Sequence, residues 1–426
     1  MMRKITIDGE ELLTRDNIHQ HLKINLGFPD YYGMNLDALY DVLITEDRET
    51  VIIIINEDKL VSNIGEYWDR LLDTLKDITL HNNKITITIT PAVSEIKEVG
   101  QDIYESRRSS WFEKINDPIR FQGSLDHRNY FEGWYFKQVS LGSGKVISFI
   151  PGISLNELDP HAFIQVIVSP PVETHYFRFD VSDFFTSDLP FEVRIGKNVF
   201  SQKGITIDLN DETIAIEGKL TYGPFKSIDK TILNPNAMGY FAYIPKMKCN
   251  HGIVSMDHSV DGVLKYNEES LSFNRDRGYI EKDWGSSFPE RYIWMQGNHF
   301  ERNGDSFMCS IASIPMMGTS FTGLIANLVA DGKEYRFATY NGAKIILALS
   351  TTDGVDIILK KSKLTLEIKA HIESTGNLKS PIEGRMAGTI KEGLGGTISL
   401  VLKEEDRIFK QLFTRYSGIE VVGDFN

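Results

Sequence analysis

Three aromatic-rich segments contain most of the residues suited to chemistry: YFEGWYFKQV, CNHGIVSMDHSVDG and GYIEKDWGSSFPERYIWMQGNHF. If the first and third form strands, side chains two positions apart share a face. The residues that share a face are Glu132, Trp134, Phe136 and Gln138 in the first segment, and Tyr292, Trp294, Gln296 and Asn298 in the third. Each face combines aromatic rings with a few polar groups, which is the composition of a mostly apolar ligand pocket.

The middle segment offers histidines beside a carboxylate. His251 and Asp257 can lie on one strand face, with His258 on the other, and a histidine paired with a carboxylate can donate a proton near neutral pH. The alternative is a structural histidine. These residues lack a recognised metal-ligand spacing, so no metal is predicted. For Glu132 the alternative role is to pair with an arginine or to cap a backbone group.

Short alternating or β-branched runs with turn signals between them continue from Phe121 to the end of the chain, among them VISFI, AFIQVIV, HYFRF, ITIDL, LIANLVA and TISLVL. This pattern predicts an all-β region of about 300 residues. One barrel of that length would be unusual, so we expect two packed barrel or sandwich units, at residues 118–289 and 290–426.

The N-terminal part has a different pattern, in which apparent strands (KITI, VIIII and KITITI) alternate with helices over Asp16 to Leu26, Asn35 to Leu43 and Glu66 to Leu80. Such alternation predicts a small, mostly parallel sheet with helical cover, assigned to residues 1–92. Residues 93–117 lack a clean apolar period and are assigned to a linker.

The helix predicted after Asn35 carries acidic side chains on the side opposite its apolar stripe. Asn35 is a suitable N-cap, and Leu36, Leu39 and Leu43 fall on one stripe that can face a core. The opposite side carries Asp37 and Asp41, which repel each other at i,i+4 spacing. Either this is a solvated helix face, or the acid has a function.

The overall composition limits the function classes. The 426 residues include 46 Lys and Arg against 59 Asp and Glu, and the net charge of −13 disfavours broad binding to nucleic acid or anionic lipid. The longest aliphatic run, VIIII, is far shorter than the roughly 20 residues of a spanning helix. Cys249 and Cys309 lie in no CxxC or catalytic pattern, and no signal-peptide pattern opens the chain, so a reducing, cytoplasmic setting is expected.

The string FPDYYGMNLDALYDVL resembles the barstar family of intracellular ribonuclease inhibitors, over about the first 90 residues. The resemblance implies a barstar-like α/β fold whose second helix and preceding loop close the active site of a basic nuclease. Tyr40 stands where the family usually has Trp. Carried over position by position, the partner-contacting candidates are Tyr31, Gly33, Asn35, Asp37, Asp41 and Asp77. Up to residue 94 there are nine Lys and Arg against sixteen Asp and Glu, a local charge of −7 that suits a cationic partner.

The segments FEGWYFK, CNHGIVSMDH and EKDWGSSFPERYIWMQGNHF resemble the tocopherol cyclase family, over residues 118–426. The resemblance implies a two-part lipocalin-like β-barrel region. It also implies a reaction that closes a prenylated hydroquinone into a chromanol, without redox change and without an organic cofactor.

That implied reaction needs a positioned acid for the alkene, aromatic faces for the carbocation, and exclusion of water. The acid and base candidates are Asp283, His251, Glu132, Glu281 and His258, with Asp283 and His251 favoured. The substrate-binding candidates are Trp134, Tyr135, Trp284, Trp294, Gln296 and Asn298. An ordinary ion pair that includes Lys282 or Asp283 is the alternative for that part of the chain.

Three hypotheses follow. The first is a tocopherol cyclase-like isomerase behind a barstar-like module, with a prenylated quinol substrate and at most peripheral membrane contact. The second is a protein that only binds an apolar ligand and acts through its acidic helix as a nuclease inhibitor or immunity factor. The third keeps catalysis but changes the chemistry to isoprenoid hydration or another cyclisation.

Overall fold

A parallel sheet with helical cover forms the N-terminal unit, Met1–Tyr104, in a computed structural model that describes residues 3–82, 84–90, 111–231, 234–244, 247–316 and 319–425. Its three strands run parallel in the order β1-β2-β3. The strands are β1 (Arg3–Asp8), β2 (Thr50–Ile55) and β3 (Ile85–Thr90), and the helices are α1 (Arg15–Leu26), α2 (Leu36–Ile44), α3 (Glu57–Ile64) and α4 (Glu66–His81). The predicted small parallel α/β domain is therefore confirmed.

Helix α2 begins and packs as its sequence predicts. The Asn35 side chain accepts a hydrogen bond of 2.8 Å from the Ala38 backbone N–H, which caps the helix. Leu36, Leu39 and Leu43 are buried in the core of this unit. The short helix α3 was not predicted, because eight largely polar residues give little apolar period, so Asp77 lies on the fourth helix rather than the third.

The second unit, Glu105–Asn426, begins among the described residues with the short helix α5 (Trp111–Asn116). Helix α5 lies within residues 93–117, which the sequence assigns to a linker, and residues 93–110 lie outside the described residues. Within the described ranges, no helix combines the length and hydrophobicity needed to cross a bilayer.

An 11-stranded antiparallel sheet, the first sheet, follows α5. Its strand order is β7-β6-β5-β4-β14-β13-β12-β11-β10-β9-β8. The strands are β4 (Tyr130–Ser140), β5 (Lys145–Leu155), β6 (His161–Ser169), β7 (Glu173–Phe179), β8 (Phe184–Asp188), β9 (Phe191–Ile195), β10 (Asn198–Ser201), β11 (Gly204–Asn210), β12 (Ala215–Tyr222), β13 (Cys249–Tyr266) and β14 (Glu269–Gly285). Short 3₁₀ helices lie at Val181–Asp183 and Gly239–Tyr243.

A 10-stranded antiparallel sheet, the second sheet, contains the rest of the chain. Its order is β18-β17-β16-β15-β24-β23-β21-β20-β19, and β22 pairs with β23. The strands are β15 (Tyr292–Gly297), β16 (Ser306–Met316), β17 (Thr319–Ala330), β18 (Lys333–Ala338), β19 (Lys344–Thr351), β20 (Gly354–Lys361), β21 (Leu364–His371), β22 (Thr375–Ile382), β23 (Arg385–Glu404) and β24 (Arg407–Val422), with a 3₁₀ helix at Thr339–Asn341.

Each sheet curls around its own apolar core, and the two sheets share a third cluster. In β4, Trp134 packs inside the first sheet, whereas the next residue, Tyr135, packs against the second. In β15, Ile293 packs inside the second sheet, whereas Trp294 packs against the first. The predicted two-part, barrel-like β region is confirmed, and its central strands are buried on both faces, which places polar groups between the sheets.

Candidate active site

A cavity of about 150 Å³ lies between the two sheets, with a mostly apolar wall that includes Phe131, Phe288, Tyr292 and Trp294. A cavity of about this volume in another protein accepts one benzene ring, so the space is on the scale of a single aromatic ring. Two groups of ionisable side chains enter this wall: His251, Glu281 and Asp283 from the first sheet, and Glu392 and Glu420 from the second. An apolar cavity with a few convergent polar groups is the usual form of a ligand site.

The first group, His251, Glu281 and Asp283, converges because of strand register. His251 of β13 lies directly opposite Asp283 of β14, and Glu281 is two positions from Asp283 on the same face. The distance from His251 Nδ1 to Asp283 Oδ1 is 2.9 Å, and that from His251 Nε2 to Glu281 Oε2 is 3.6 Å. Tyr279 O–H and Trp294 Nε1–H both donate to Glu281 Oε2, at 2.5 and 3.0 Å.

These contacts set the protonation of the group. Burial raises the pKa of Glu281 to about 7, and the Asp283 charge adds to this, while His251 and the hydrogen bonds from Tyr279 and Trp294 oppose it. Burial lowers the pKa of His251, but the charges of Glu281 and Asp283 outweigh burial and raise it to about 9. Near neutral pH a substantial part of Glu281 is therefore protonated, beside a cationic imidazole.

The same three residues could also hold a divalent cation. One ligand atom from each lies within 4.8 Å of the others, and His251 Nε2 has no hydrogen-bond partner among the described residues. However, Glu281 Oε2 already accepts two hydrogen bonds, which fits a carboxyl that handles a proton at least as well as it fits a metal ligand. The metal-ligand set weighed from the sequence, which included Asp257 and His258, does not converge.

The second group consists of Glu392 on β23 and Glu420 on β24, which lie directly opposite each other. Tyr135 O–H donates to Glu392 Oε1 at 2.7 Å, and Tyr292 O–H donates to Glu420 Oε2 at 2.7 Å. Burial raises the pKa of Glu392 to about 7, and burial together with the charge of Glu392 raises the pKa of Glu420 well above its usual value. The sequence analysis missed both acids.

Glu132, Trp134 and Trp284 do not line the cavity. Glu132 accepts hydrogen bonds from the backbone N–H groups of Gln122 and Gly123 and forms a fully buried ion pair with Lys282. The Lys282 ammonium lies 5.0 Å from the Trp134 ring and 4.4 Å from the Trp284 ring. These residues therefore form a separate structural centre, and Lys282 pairs with Glu132 rather than with its neighbour Asp283.

His258 and Asp257 also lie away from the cavity. Irregular pairing within β13 turns His258 toward Ser255, at 3.0 Å, and toward the rings of Tyr222 and Phe225. Burial lowers its pKa to about 3, so it is neutral at physiological pH. Asp257 bonds to Arg277, so the expectation that it partners His251 is wrong, and Asp283 takes that place.

Gln296 lies beyond the cavity on β15, and Asn298 lies just after the end of that strand. Gln296 Oε1 accepts a hydrogen bond of 2.8 Å from the buried Lys137 ammonium, and Asn298 donates to the Gly278 carbonyl at 2.8 Å. Burial lowers the pKa of Lys137 to about 7. Of the predicted substrate-binding residues, Tyr135 and Trp294 line the cavity.

In the N-terminal unit, all the predicted partner-contacting residues are exposed: Tyr31, Gly33, Asn35, Asp37, Asp41 and Asp77. The Tyr31 side chain is 86% exposed. Helices α2 and α4 pack together, with Tyr40 of α2 beside His81 of α4, so the acids of both helices belong to neighbouring surfaces.

The barstar model, described as barnase inhibitor, matches residues 2–91. The protein named "Putative ribonuclease inhibitor YrdF" of Bacillus subtilis (strain 168) is 39% identical over 77 residues, which cover 18% of this chain and 85% of that protein.

The tocopherol cyclase-like model matches residues 215–423, which contain every ionisable residue of both cavity groups. The protein named "Probable tocopherol cyclase, chloroplastic" of Oryza sativa subsp. japonica is 26% identical over 172 residues, which cover 39% of this chain and only 35% of the rice protein.

Among solved structures, that of CghA aligns with a TM-score of 0.48 at 8% identity and covers 69% of this chain and 88% of that one. A likeness this remote assigns no function. The two family matches fall on different units and agree with the folds of both. The chain therefore belongs to the barstar family through its first 90 residues and carries a tocopherol cyclase-like region behind them.

Proposed function

We propose that the C-terminal region is a cyclase that closes a prenylated hydroquinone into a chromanol. The observation that carries the proposal is a buried carboxyl group, Glu281, which lies inside the tocopherol cyclase-like match and lines a mostly apolar cavity. A carboxyl group with its pKa raised to about 7 keeps a proton available at neutral pH. In this proposal the aromatic head group of the substrate occupies the cavity.

The chemistry assigns roles to the first group. Glu281 transfers its proton to one alkene carbon, the π bond breaks, and a tertiary cation forms at the other carbon. His251 and Asp283 lie beside Glu281, and their charges influence how readily Glu281 gives up its proton. The phenol oxygen then forms the C–O bond and releases its proton, so the substrate and the product are isomers. Asp283 and His251, favoured from the sequence, thus support the donor rather than replace it.

Aromatic rings would stabilise the cation. The rings of Tyr135 and Trp294 meet edge to face with their centroids 5.4 Å apart, and both line the cavity. The faces of such rings attract cations, and an apolar wall keeps out water that would trap the cation as an alcohol.

The test is anaerobic incubation of the full chain with a panel of prenylated hydroquinones, followed by chiral chromatography for isobaric chromanols. A single enantiomer of unchanged mass supports the proposal. A product heavier by one water indicates a hydratase instead. Glu281→Gln should lower the rate by about 100-fold or more. The matched control is Glu367→Gln, an acid paired with Lys403 on the second sheet, which should leave the rate unchanged. Retention of substrate without turnover would contradict the proposal.

For the N-terminal unit we propose binding to a basic nuclease through α2 and the loop before it. Support comes from the barstar match, the exposure of Tyr31, Asp37 and Asp41, and the local charge of −7. The test is titration of the full chain with a panel of secreted basic ribonucleases, followed by calorimetry and inhibition of RNA cleavage. Absence of binding across the panel would contradict it.

A further inference from the structure

The pair Glu392 and Glu420 lines the same cavity as the proposed proton donor Glu281. Both acids are buried and lie directly opposite each other on β23 and β24. Two ionised carboxylates at directly opposed positions would destabilise the sheet, so burial favours a pair that retains at least one proton. Burying two carboxyl groups still costs stability, which invites a functional explanation.

The contacts of the two acids differ. Glu420 accepts from Tyr292, and Glu392 accepts from Tyr135, whose hydroxyl also accepts from Ser148 at 3.1 Å. Glu392 Oε2 has no hydrogen-bond partner among the described residues, although the side chain is fully buried. A buried carboxyl oxygen without a partner, on a residue of the cavity wall, is suited to meet a donor on a ligand.

Trp294 separates this pair from the proposed proton donor. Its indole N–H donates to Glu281, and Glu420 is its cross-strand neighbour in the second sheet. The cavity therefore has a carboxyl group on each of its two sheets, with an aromatic ring between them. An addition across an alkene can use such a division, because one group can give the proton to the alkene while another takes the proton from the attacking oxygen.

We propose that Glu392 is the catalytic base that accepts the phenol proton, opposite the acid on the first sheet. This inference rests on the proposed function. As the phenol oxygen forms the C–O bond, its O–H bond breaks and the proton moves to Glu392. One turnover leaves Glu281 ionised and Glu392 protonated. Exchange of one proton with water between turnovers restores both groups.

The charges that face Glu392 support this direction of transfer. Burial and the charge of Glu281 disfavour the ionised form of Glu392, whereas hydrogen bonds from Tyr135 and from Glu420 and the charge of Lys137 favour it. Burial and the charge of Glu392 raise the pKa of Glu420 well above its usual value, so Glu420 keeps a proton more readily than Glu392 does. Of the two acids, Glu392 is therefore the one that ionises first.

The test follows chromanol formation and hydrogen exchange together in D₂O. The wild-type chain should give chromanol with one deuterium at the protonated carbon. Glu392→Gln, which retains an oxygen for Tyr135, should form chromanol about 100-fold more slowly. It should still place deuterium in the recovered alkene, because the cation forms and reverts. Glu281→Gln should lose both signals. Glu367→Gln is the control and should lose neither.

The outcomes separate the two proposals. If Glu392→Gln forms chromanol at the wild-type rate, Glu392 is not the base. The same follows if a folded Glu392→Gln variant loses both deuterium exchange and ring closure. A chain without any chromanol formation overturns the cyclase and the base with it. Glu392→Asp tests whether misfolding explains the slow rate of Glu392→Gln. Because it keeps a carboxylate, Glu392→Asp should close the ring at least about tenfold faster than Glu392→Gln. Failure to recover any rate also overturns the proposal.

Discussion

At the residue scale, the protonation of Glu281 depends on charges held at short range. Burial is the largest cause of its raised pKa, and the imidazolium of His251 is the main opposing one. Because a general acid works only in its protonated form, the direction of any change in this pKa fixes the direction of the change in the pH profile.

We predict that ring closure falls as pH rises above about 7, because Glu281 loses its proton there, and also falls as pH drops below about 7, where Glu392 takes up a proton. In His251→Gln the positive charge is absent, so the pKa of Glu281 rises and the alkaline limb moves to higher pH. The measurement is the single-turnover rate from pH 5 to 10. His371→Gln, an exposed histidine paired with Asp353, is the control. An unmoved limb in His251→Gln would argue against Glu281 as the donor.

At the element scale, strands β4 and β14 are joined by the fully buried pair Glu132 and Lys282. Removing one member leaves the other charge buried without compensation. We predict that Lys282→Met lowers the free energy of unfolding of the C-terminal unit by about 3–5 kcal/mol, measured by denaturant titration with tryptophan fluorescence.

The matched control is the exposed pair Lys363 and Glu405, whose side chains are 69% and 65% exposed. Lys363→Met should cost no more than about 1 kcal/mol, because solvent screens the pair. Adding Glu132→Gln to Lys282→Met should recover part of the loss. Equal costs for Lys282→Met and Lys363→Met would show that the buried pair contributes no special stability.

Helix α2 has its own test. Asp37 and Asp41 are exposed, and an interface that relies on them should lose affinity when either charge is removed. We predict that Asp37→Ala weakens binding of a basic nuclease by about 2 kcal/mol, and that the association rate of the unmodified chain falls as salt rises. Surface plasmon resonance measures both. Asp16→Ala, an exposed acid on α1, should change neither, and an equal loss in that control would contradict recognition by α2.

At the scale of the whole molecule, the two units have separate cores and separate candidate sites. We predict that the double variant Asp37→Ala/Asp41→Ala abolishes nuclease binding and keeps ring closure within about twofold of the unmodified chain. Glu281→Gln should do the reverse. Both assays on both variants measure this, and a variant that loses both functions would show that the sites are coupled.

The sequence by itself determined the class of each unit. Alternation of strands and helices predicted the parallel sheet, and the stripe of Leu36, Leu39 and Leu43 with its Asn35 cap predicted α2. Period-two patterns predicted the β region and the common face of Tyr292 and Trp294. These features are local, because each depends on residues close together in the chain.

Only the tertiary structure decided the site. Period two says which residues share a face, but β4 is buried on both faces, so the pattern could not choose Tyr135 over Trp134 for the cavity. Register and bulges between β13 and β14 gave His251 the partner Asp283 instead of Asp257.

The sequence pattern also did not identify Glu392 and Glu420 of the second sheet as site residues. Glu420 lies in the run GIEVV, where alternation fits a solvent-facing side chain as well as a buried one. Its role became visible only when pairing of β23 with β24 placed it opposite Glu392, and packing of the two sheets placed both on the wall of one cavity. Local patterns fix which side chains lie together on a strand, whereas contacts between distant strands depend on pairing and packing that only the folded chain specifies.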